Sequence, residues 1–149
     1  LNSAGSRKQT HVIYFFNKII NRYLLKLGVP KGDKVIQKFD VPKWIVKSKE
    51  FSREYLKIAY LCEGSFRKEK GRTSRITINT AKCNDILDSG IKFMNTLKKM
   101  LSKFNIDSGD CQVYSMRIRK RDNKTTRDIR FRIKVKDNDK FIREIGWLK

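Results

Sequence analysis

The sequence predicts an α+β fold, an antiparallel sheet with helices on one face. Three observations carry the prediction. A helical apolar run starts after Ser48 and stops abruptly at Glu63-Gly64. Two pairs of stretches follow in which every second residue is apolar, each pair joined by a polar turn. Between the pairs, residues 84–104 carry apolar side chains at helical spacing. A period of two marks strands with one buried face, and a period near 3.6 marks a half-buried helix. The order from Ser48 is therefore α-β-β-α-β-β-α, and packing the helices on one face of the sheet buries both patterns at once.

Residues 1–10 are polar and predict a loop or frayed strand end. Residues 11–27 set Ile13, Phe16, Ile20, Tyr23, Leu24 and Leu27 at helical spacing. Gly28 suits the C′ position of that helix, and Pro30 keeps it from resuming. Residues 31–43 form a linker with Gly32, Asp33 and Pro42, and Trp44 and Ile45 offer an apolar anchor. Ser48 is the N-cap of the next helix, with Glu50 suitably placed in its first turn. That helix runs through Phe51, Tyr55, Leu56, Ala59, Tyr60 and Cys62. Strands are expected at 65–70 and 74–80, the latter with Ile76 and Ile78 inward and Arg75, Thr77 and Asn79 outward. The helix at 84–104 has a core stripe of Leu87, Ile91, Met94, Leu97, Leu101 and Phe104. In the strand at 112–120, Tyr114, Met116 and Ile118 face inward and Ser115, Arg117 and Arg119 outward. Asp122-Asn123-Lys124 makes a hairpin turn. In the strand at 128–135, Ile129, Phe131, Ile133 and Val135 alternate with Arg130, Arg132 and Lys134. A last helix carries Phe141, Ile142 and Ile145, and the chain closes at Gly146-Trp147-Leu148.

A chain of 149 residues suffices for one domain with a real core or two small half-domains. At 39% hydrophobic and 34% charged residues it should fold rather than stay disordered. No apolar run approaches the ~20 residues that span a bilayer, and the N-terminus lacks a secretory pattern. The missing initiator Met suggests a fragment or processed chain. Cys62, Cys83 and Cys111 are odd in number and widely spaced, and His11 is the sole histidine. That pattern argues against a zinc site or disulfide framework and for small buried thiols in a reducing, intracellular setting: cytoplasm, nucleoid or organelle matrix.

Thirty-six Lys and Arg against 15 Asp and Glu leave a formal charge of +21. Nucleic acid is the default acidic partner, since the charge follows a strand period rather than one face of a membrane-seeking helix. The period also assigns geometry: Arg75, Arg117, Arg119, Arg130, Arg132 and Lys134 share the face opposite the helices. Like charges on neighbouring strands repel by up to ~1 kcal/mol for each directly opposed pair, which phosphate neutralisation repays. Arg67 extends the set on the first strand, and Thr77, Asn79 and Ser115 add short hydrogen-bonding groups. With Phe66, Tyr114 and Phe131 all on the inward parity, no aromatic platform for single strands is expected, and a duplex groove fits better. A solvated basic surface is the plain alternative.

Glu63 stands at the C-terminus of an apolar helix, where a carboxylate opposes the dipole. It is either a solvated last-turn residue or a ligand for a hard divalent cation such as Mg²⁺. One carboxylate is too few for Mg²⁺, so phosphate oxygens, water and a second acid would have to complete the shell.

Residues 56–64, L-K-I-A-Y-L-C-E-G, resemble the nine-residue motif of the LAGLIDADG homing endonucleases. The strand order and basic strand face resemble that family's repeat, giving a LAGLIDADG-like αββαββα reading. Lys136-Asp137-Asn138 leading to Phe141-Ile142-Arg143-Glu144-Ile145-Gly146-Trp147 resembles the family's closing stretch. Residues 23–32 and 41–45 resemble the end of one repeat and the lead into another. The resemblance thus divides the chain into 1–47, the tail of a first repeat plus linker, and 48–149, a complete repeat. It implies a curved antiparallel sheet in the DNA major groove and metal-dependent hydrolysis of both strands of a specific site, in an enzyme of intron or intein association. It assigns Glu63 as metal ligand and catalytic acid, Gly64 as the motif turn and Lys136 as a catalytic lysine. It gives the strand residues as DNA readers, and as partners double-stranded DNA and a second repeat from upstream or from another chain. Ile58 stands where the family usually has Gly, and Leu61 where it has Asp. A non-cleaving maturase or transcription regulator on the same scaffold is the alternative.

Overall fold

The computed structural model describes residues 17–67 and 75–146. Four strands form one antiparallel sheet in the order β1-β2-β4-β3: β1 Gly64–Arg67, β2 Arg75–Cys83, β3 Gln112–Ile118 and β4 Thr125–Arg132. The helices are α1 Lys18–Lys26, α2 Lys43–Lys47, α3 Lys49–Glu63, α4 Leu87–Ser102 and α5 Asn138–Glu144. The α-β-β-α-β-β-α order from Ser48 is therefore present. Among the described residues no helix is long and apolar enough to cross a membrane. The expected positions 1–16, the turn at 71–74 and the closing Trp147-Leu148 lie outside the described residues.

The caps follow from local chemistry. The Asn17 side chain accepts from Ile19 N and Ile20 N, so α1 has its N-terminus there. Gly28 follows with φ +90°, the left-handed geometry that ends helices. The Ser48 hydroxyl accepts from Phe51 N at 3.2 Å and starts α3. At the other end α3 passes into β1 with no loop. A Cβ on Gly64 would lie 2.3 Å from the Tyr60 carbonyl oxygen, so the direct helix-to-strand transition admits no side chain there. A short 3₁₀ turn, Asn84–Ile86, precedes α4, so the expected helix begins one turn later than its apolar pattern.

One core joins all the layers. Ile76, Ile78, Ile129 and Phe131 of β2 and β4 meet Met94, Leu97 and Leu101 of α4, with Leu56 and Tyr60 of α3 and Phe141 of α5. Phe93 and Met100 widen the predicted α4 stripe, while Leu87 and Ile91 are only half-buried. The linker belongs to this unit as well. Val41 is buried, Phe39 meets Phe93 edge-on at 5.0 Å, and Cys83 N donates to Val35 O at 2.9 Å. In contrast α1 buries no residue, and Ile19, Tyr23 and Leu25 stay exposed. It is tied on by the Trp44 indole, which donates to Leu27 O at 3.0 Å.

Several expectations need correction. Met116 and Ile118, expected inward, are 64% and 70% exposed. The helix α4 covers β2 and β4, and the edge strand β3 runs past it. A register shift between Val113 and Met116 inserts a bulge that resets which residues share a face. The fourth strand ends at Arg132, so Lys134 and Val135 are outside it, and Val135 is half exposed. Ile142 is exposed although Phe141 and Ile145 are buried. Of the cysteines only Cys83 is buried: Cys62 is exposed and Cys111 intermediate, because α3 turns Cys62 away from the core.

Candidate nucleic-acid interface

The strand registers place the outward side chains in rows across the sheet. Arg67 of β1 lies opposite Arg75 of β2. Ser65, Thr77 and Arg132 form the next row, where the Ser65 and Thr77 hydroxyls share a 2.6 Å hydrogen bond. Asn79, Arg130 and Gln112 form the third. Thr126 pairs with Cys83 and Arg117 further along. All lie opposite the face that carries Ile76, Ile78, Ile129 and Phe131, as the period-two pattern requires. The structure thus brings together Arg67, Arg75, Thr77, Asn79, Arg130 and Arg132 of the expected readers.

The other expected readers have different surroundings. Arg117 is on the outward face but ion-paired with Asp128, which is almost buried. Arg119 lies beyond β3, only 18% exposed, and its guanidinium binds Asp33 of the linker and Asp122 of the hairpin turn. It is a clamp between linker and hairpin rather than an outward reader. Asp33 is held below the usual carboxylate range, first by the Val35 N–H and then by Arg119. Ser115 is exposed within the bulge. Lys134 approaches Asp107 at 3.6 Å instead of extending the strand.

An aromatic residue does stand on this face. The Tyr114 ring lies under the Arg130 guanidinium, 5.0 Å from its carbon to the ring centroid, and the Tyr114 hydroxyl donates to Gln112 Oε1. Simple alternation assigns Tyr114 to the inward side, and the bulge at this point breaks the alternation. Gln112 and Tyr114 are residues the sequence pattern does not assign to the interface.

Glu63 ends α3 at the edge of the sheet, partly exposed, and its carboxylate is ion-paired with Lys34 of the linker. A cleft of about 230 Å³ opens beside it, lined by Lys34, Ile58, Cys62, Asn79 and Thr80 among others. The Asn79 Oδ1 is buried without a hydrogen-bond partner among the described residues. Lys136 is exposed and bonded to Asp107 at 2.9 Å, which raises the lysine pKa and lowers that of the aspartate. No group of three His, Cys, Asp or Glu side chains converges among the described residues. Mg²⁺ asks for about six oxygens in octahedral array. One carboxylate already engaged by an ammonium does not meet that demand, so the described residues do not by themselves make a Mg²⁺ site. A linker lysine on the acid is a feature that no local motif announces.

No family model and no solved structure matches the chain. It is similar to the replication factor C small subunit of Methanocaldococcus jannaschii, 28% identical over 153 residues, covering 99% of this chain and 8% of that protein. It is also similar to two proteins named tRNA-splicing ligase RtcB. That of Pyrococcus abyssi is 28% identical over 88 residues, 58% of this chain and 10% of that protein. That of Methanopyrus kandleri is 33% identical over 85 residues, 56% of this chain and 9% of that protein. The chain spans about a tenth or less of the length of these relatives.

Proposed function

We propose that the chain is the DNA-binding half of a site-specific double-strand endonuclease of the homing type, laying its basic sheet face in the major groove. The observation that carries this reading is the outward face itself: rows of Arg, Thr and Asn on one side of a sheet in a chain of charge +21. Such rows set guanidinium groups toward phosphates and base edges, while the opposite side of the same strands builds the core. The relatives support a separable module. Two differently named proteins share similarity with the same chain, and in each the similar part is about a tenth or less of the whole. This supports a reading in which the matched part has a role separate from either named activity.

Hydrolysis of phosphodiesters with Mg²⁺ is proposed only for an assembly with a second repeat. Glu63 supplies one carboxylate, and the second acid comes from the partner repeat. The exposed Ile58, Phe51 and Cys62 on α3, the helix that ends in Glu63, are the surface left for it. Without that partner the same scaffold is a DNA- or RNA-binding protein, as in the maturase or regulator reading, and the Lys34–Glu63 ion pair favours this for the isolated chain.

The test is cleavage of a randomised duplex library in Mg²⁺, with sequencing of the ends, on this chain and on one extended upstream. Discrete ends with a fixed short stagger from the longer chain support the endonuclease. Glu63→Gln should abolish that cleavage and leave duplex binding within about twofold. Cleavage that survives the change would remove Glu63 from the chemistry.

A further inference from the structure

We propose that Tyr114, Arg130 and Gln112 form one base-reading unit, in which a single aromatic side chain holds an arginine for guanine and an amide for the neighbouring adenine. The unit rests on the duplex-binding reading and names what one part of that surface recognises.

Arg130 and Gln112 are direct cross-strand partners on β4 and β3, on the face away from the core. Directly opposed residues have Cβ atoms ~5 Å apart. Successive base pairs are ~3.4 Å apart along a strand, so two such side chains reach adjacent base pairs. The strand β3 is an edge of the four-stranded sheet and β4 lies between it and β2, so the Gln112–Arg130 pair sits toward the β3 edge of the outward face.

Selection among the arginines is by what already engages them. Arg117 and Arg119 are neutralised by Asp128 and Asp33. Among the described residues Arg130 has no ion pair, and its contact is the Tyr114 ring. The Arg130 guanidinium carbon stands over the ring face and no carboxylate among the described residues engages its N–H groups, which leaves them for guanine O6 and N7. The Tyr114 hydroxyl takes one lone pair of Gln112 Oε1 and thereby fixes which way the amide points. The second lone pair and the NH₂ remain, the acceptor and donor that adenine N6 and N7 require. Both readers are thus held before DNA arrives, which lowers the ordering cost of binding. A recess of about 240 Å³ surrounds them, with Gly109, Asp110 and Arg132 on its walls. Asp110 is fully exposed and near Lys98 at 3.7 Å, so it does not compete for Arg130.

Tyr114 is a positioning residue with two separable functions, and the test separates them. The full chain is used to select bound duplexes from a randomised library without metal, alongside Tyr114→Phe, Tyr114→Leu and Arg130→Lys. The unmodified chain should enrich a fixed guanine next to a fixed adenine. Tyr114→Phe keeps the stack and loses the hydroxyl, so it should retain the guanine and relax the adenine preference about tenfold. Tyr114→Leu should relax both, and Arg130→Lys, which keeps the charge but gives up the planar fork held over the ring, should weaken the guanine preference more than the adenine preference. Preferences unchanged in all three variants would overturn the unit while leaving duplex binding in place. A uniform loss across all sequences would also overturn it, because it would make Arg130 a phosphate contact. Failure of the unmodified chain to bind any duplex would remove both this inference and the function on which it rests.

Discussion

Lys82 shows how a single residue can run against its type. It is fully buried on the core side of β2, and its ammonium group donates to Gln37 O at 2.7 Å and to Lys34 O. The Phe39 ring lies 3.9 Å from it. Burial first, and then repulsion from Lys34, lower its pKa to about 8. Above that pH the neutral amine still carries two N–H donors for two carbonyls. The folded pKa lies below the unfolded 10.5, so between pH 8 and 10.5 the unfolded chain binds more protons and stability rises with pH. Lys82→Met should remove that rise and lower stability at pH 8 by about 1–3 kcal/mol, because two linker carbonyls lose the donor that the fold brings to them. Melting curves at pH 8 and 10.5 for both proteins check it. Position 82 lies beyond the expected strand end at 80, and nothing local explains a buried lysine. Its acceptors come from the linker, 45 and 48 residues away, so only the tertiary fold makes the position sensible.

At the scale of elements, the parts whose register is uninterrupted are legible in the sequence. In β2 and β4 the alternation of Ile76, Ile78, Ile129 and Phe131 with Thr77, Asn79, Arg130 and Arg132 is what the structure shows. The Ser48 cap, the Gly28 stop and the abrupt end of α3 at Gly64 are equally plain, since each is set by neighbours within a few residues. The edge strand β3 is not. A bulge changes parity by one residue and leaves no trace in composition, so alternation alone puts Tyr114 on the wrong face and passes over Gln112. The acid-engaged cations escape for a related reason: Arg119–Asp33 and Lys34–Glu63 join residues 86 and 29 positions apart. The first of these holds the β3–β4 turn against the linker. Arg119→Ala should lower the melting temperature, because it removes the ion pairs that Arg119 makes with Asp33 and Asp122. It should also speed hydrogen exchange of the turn amide of residue 119, which bonds Lys124 O at 2.9 Å. Exchange unchanged from the parent would mean that the turn stands without the clamp.

For the molecule as a whole, sidedness is the organising fact. One face of the sheet closes over α3, α4 and α5, and the other presents the arginine rows. The Lys34–Glu63 pair lies at the end of α3, on which Phe51 and Ile58 are exposed. The sequence resemblance implies an acid, a lysine and a second repeat. The structure keeps Glu63 and Lys136 exposed but engages each with an opposite charge from another element. Under the proposed function, DNA binding is therefore the property of this chain, and cleavage that of a larger assembly.

The most direct measurement is the affinity of the unmodified chain for random-sequence duplex DNA across a salt series, beside an Arg67→Ala, Arg132→Ala double variant. Binding through the sheet face predicts that log K falls linearly with log salt, with a slope of about −0.9 for each phosphate contact, and that the double variant lowers the slope by about two such contacts. A flat salt response would contradict it. So would a steep response that the double variant leaves unchanged, because the binding charge would then lie off the sheet face.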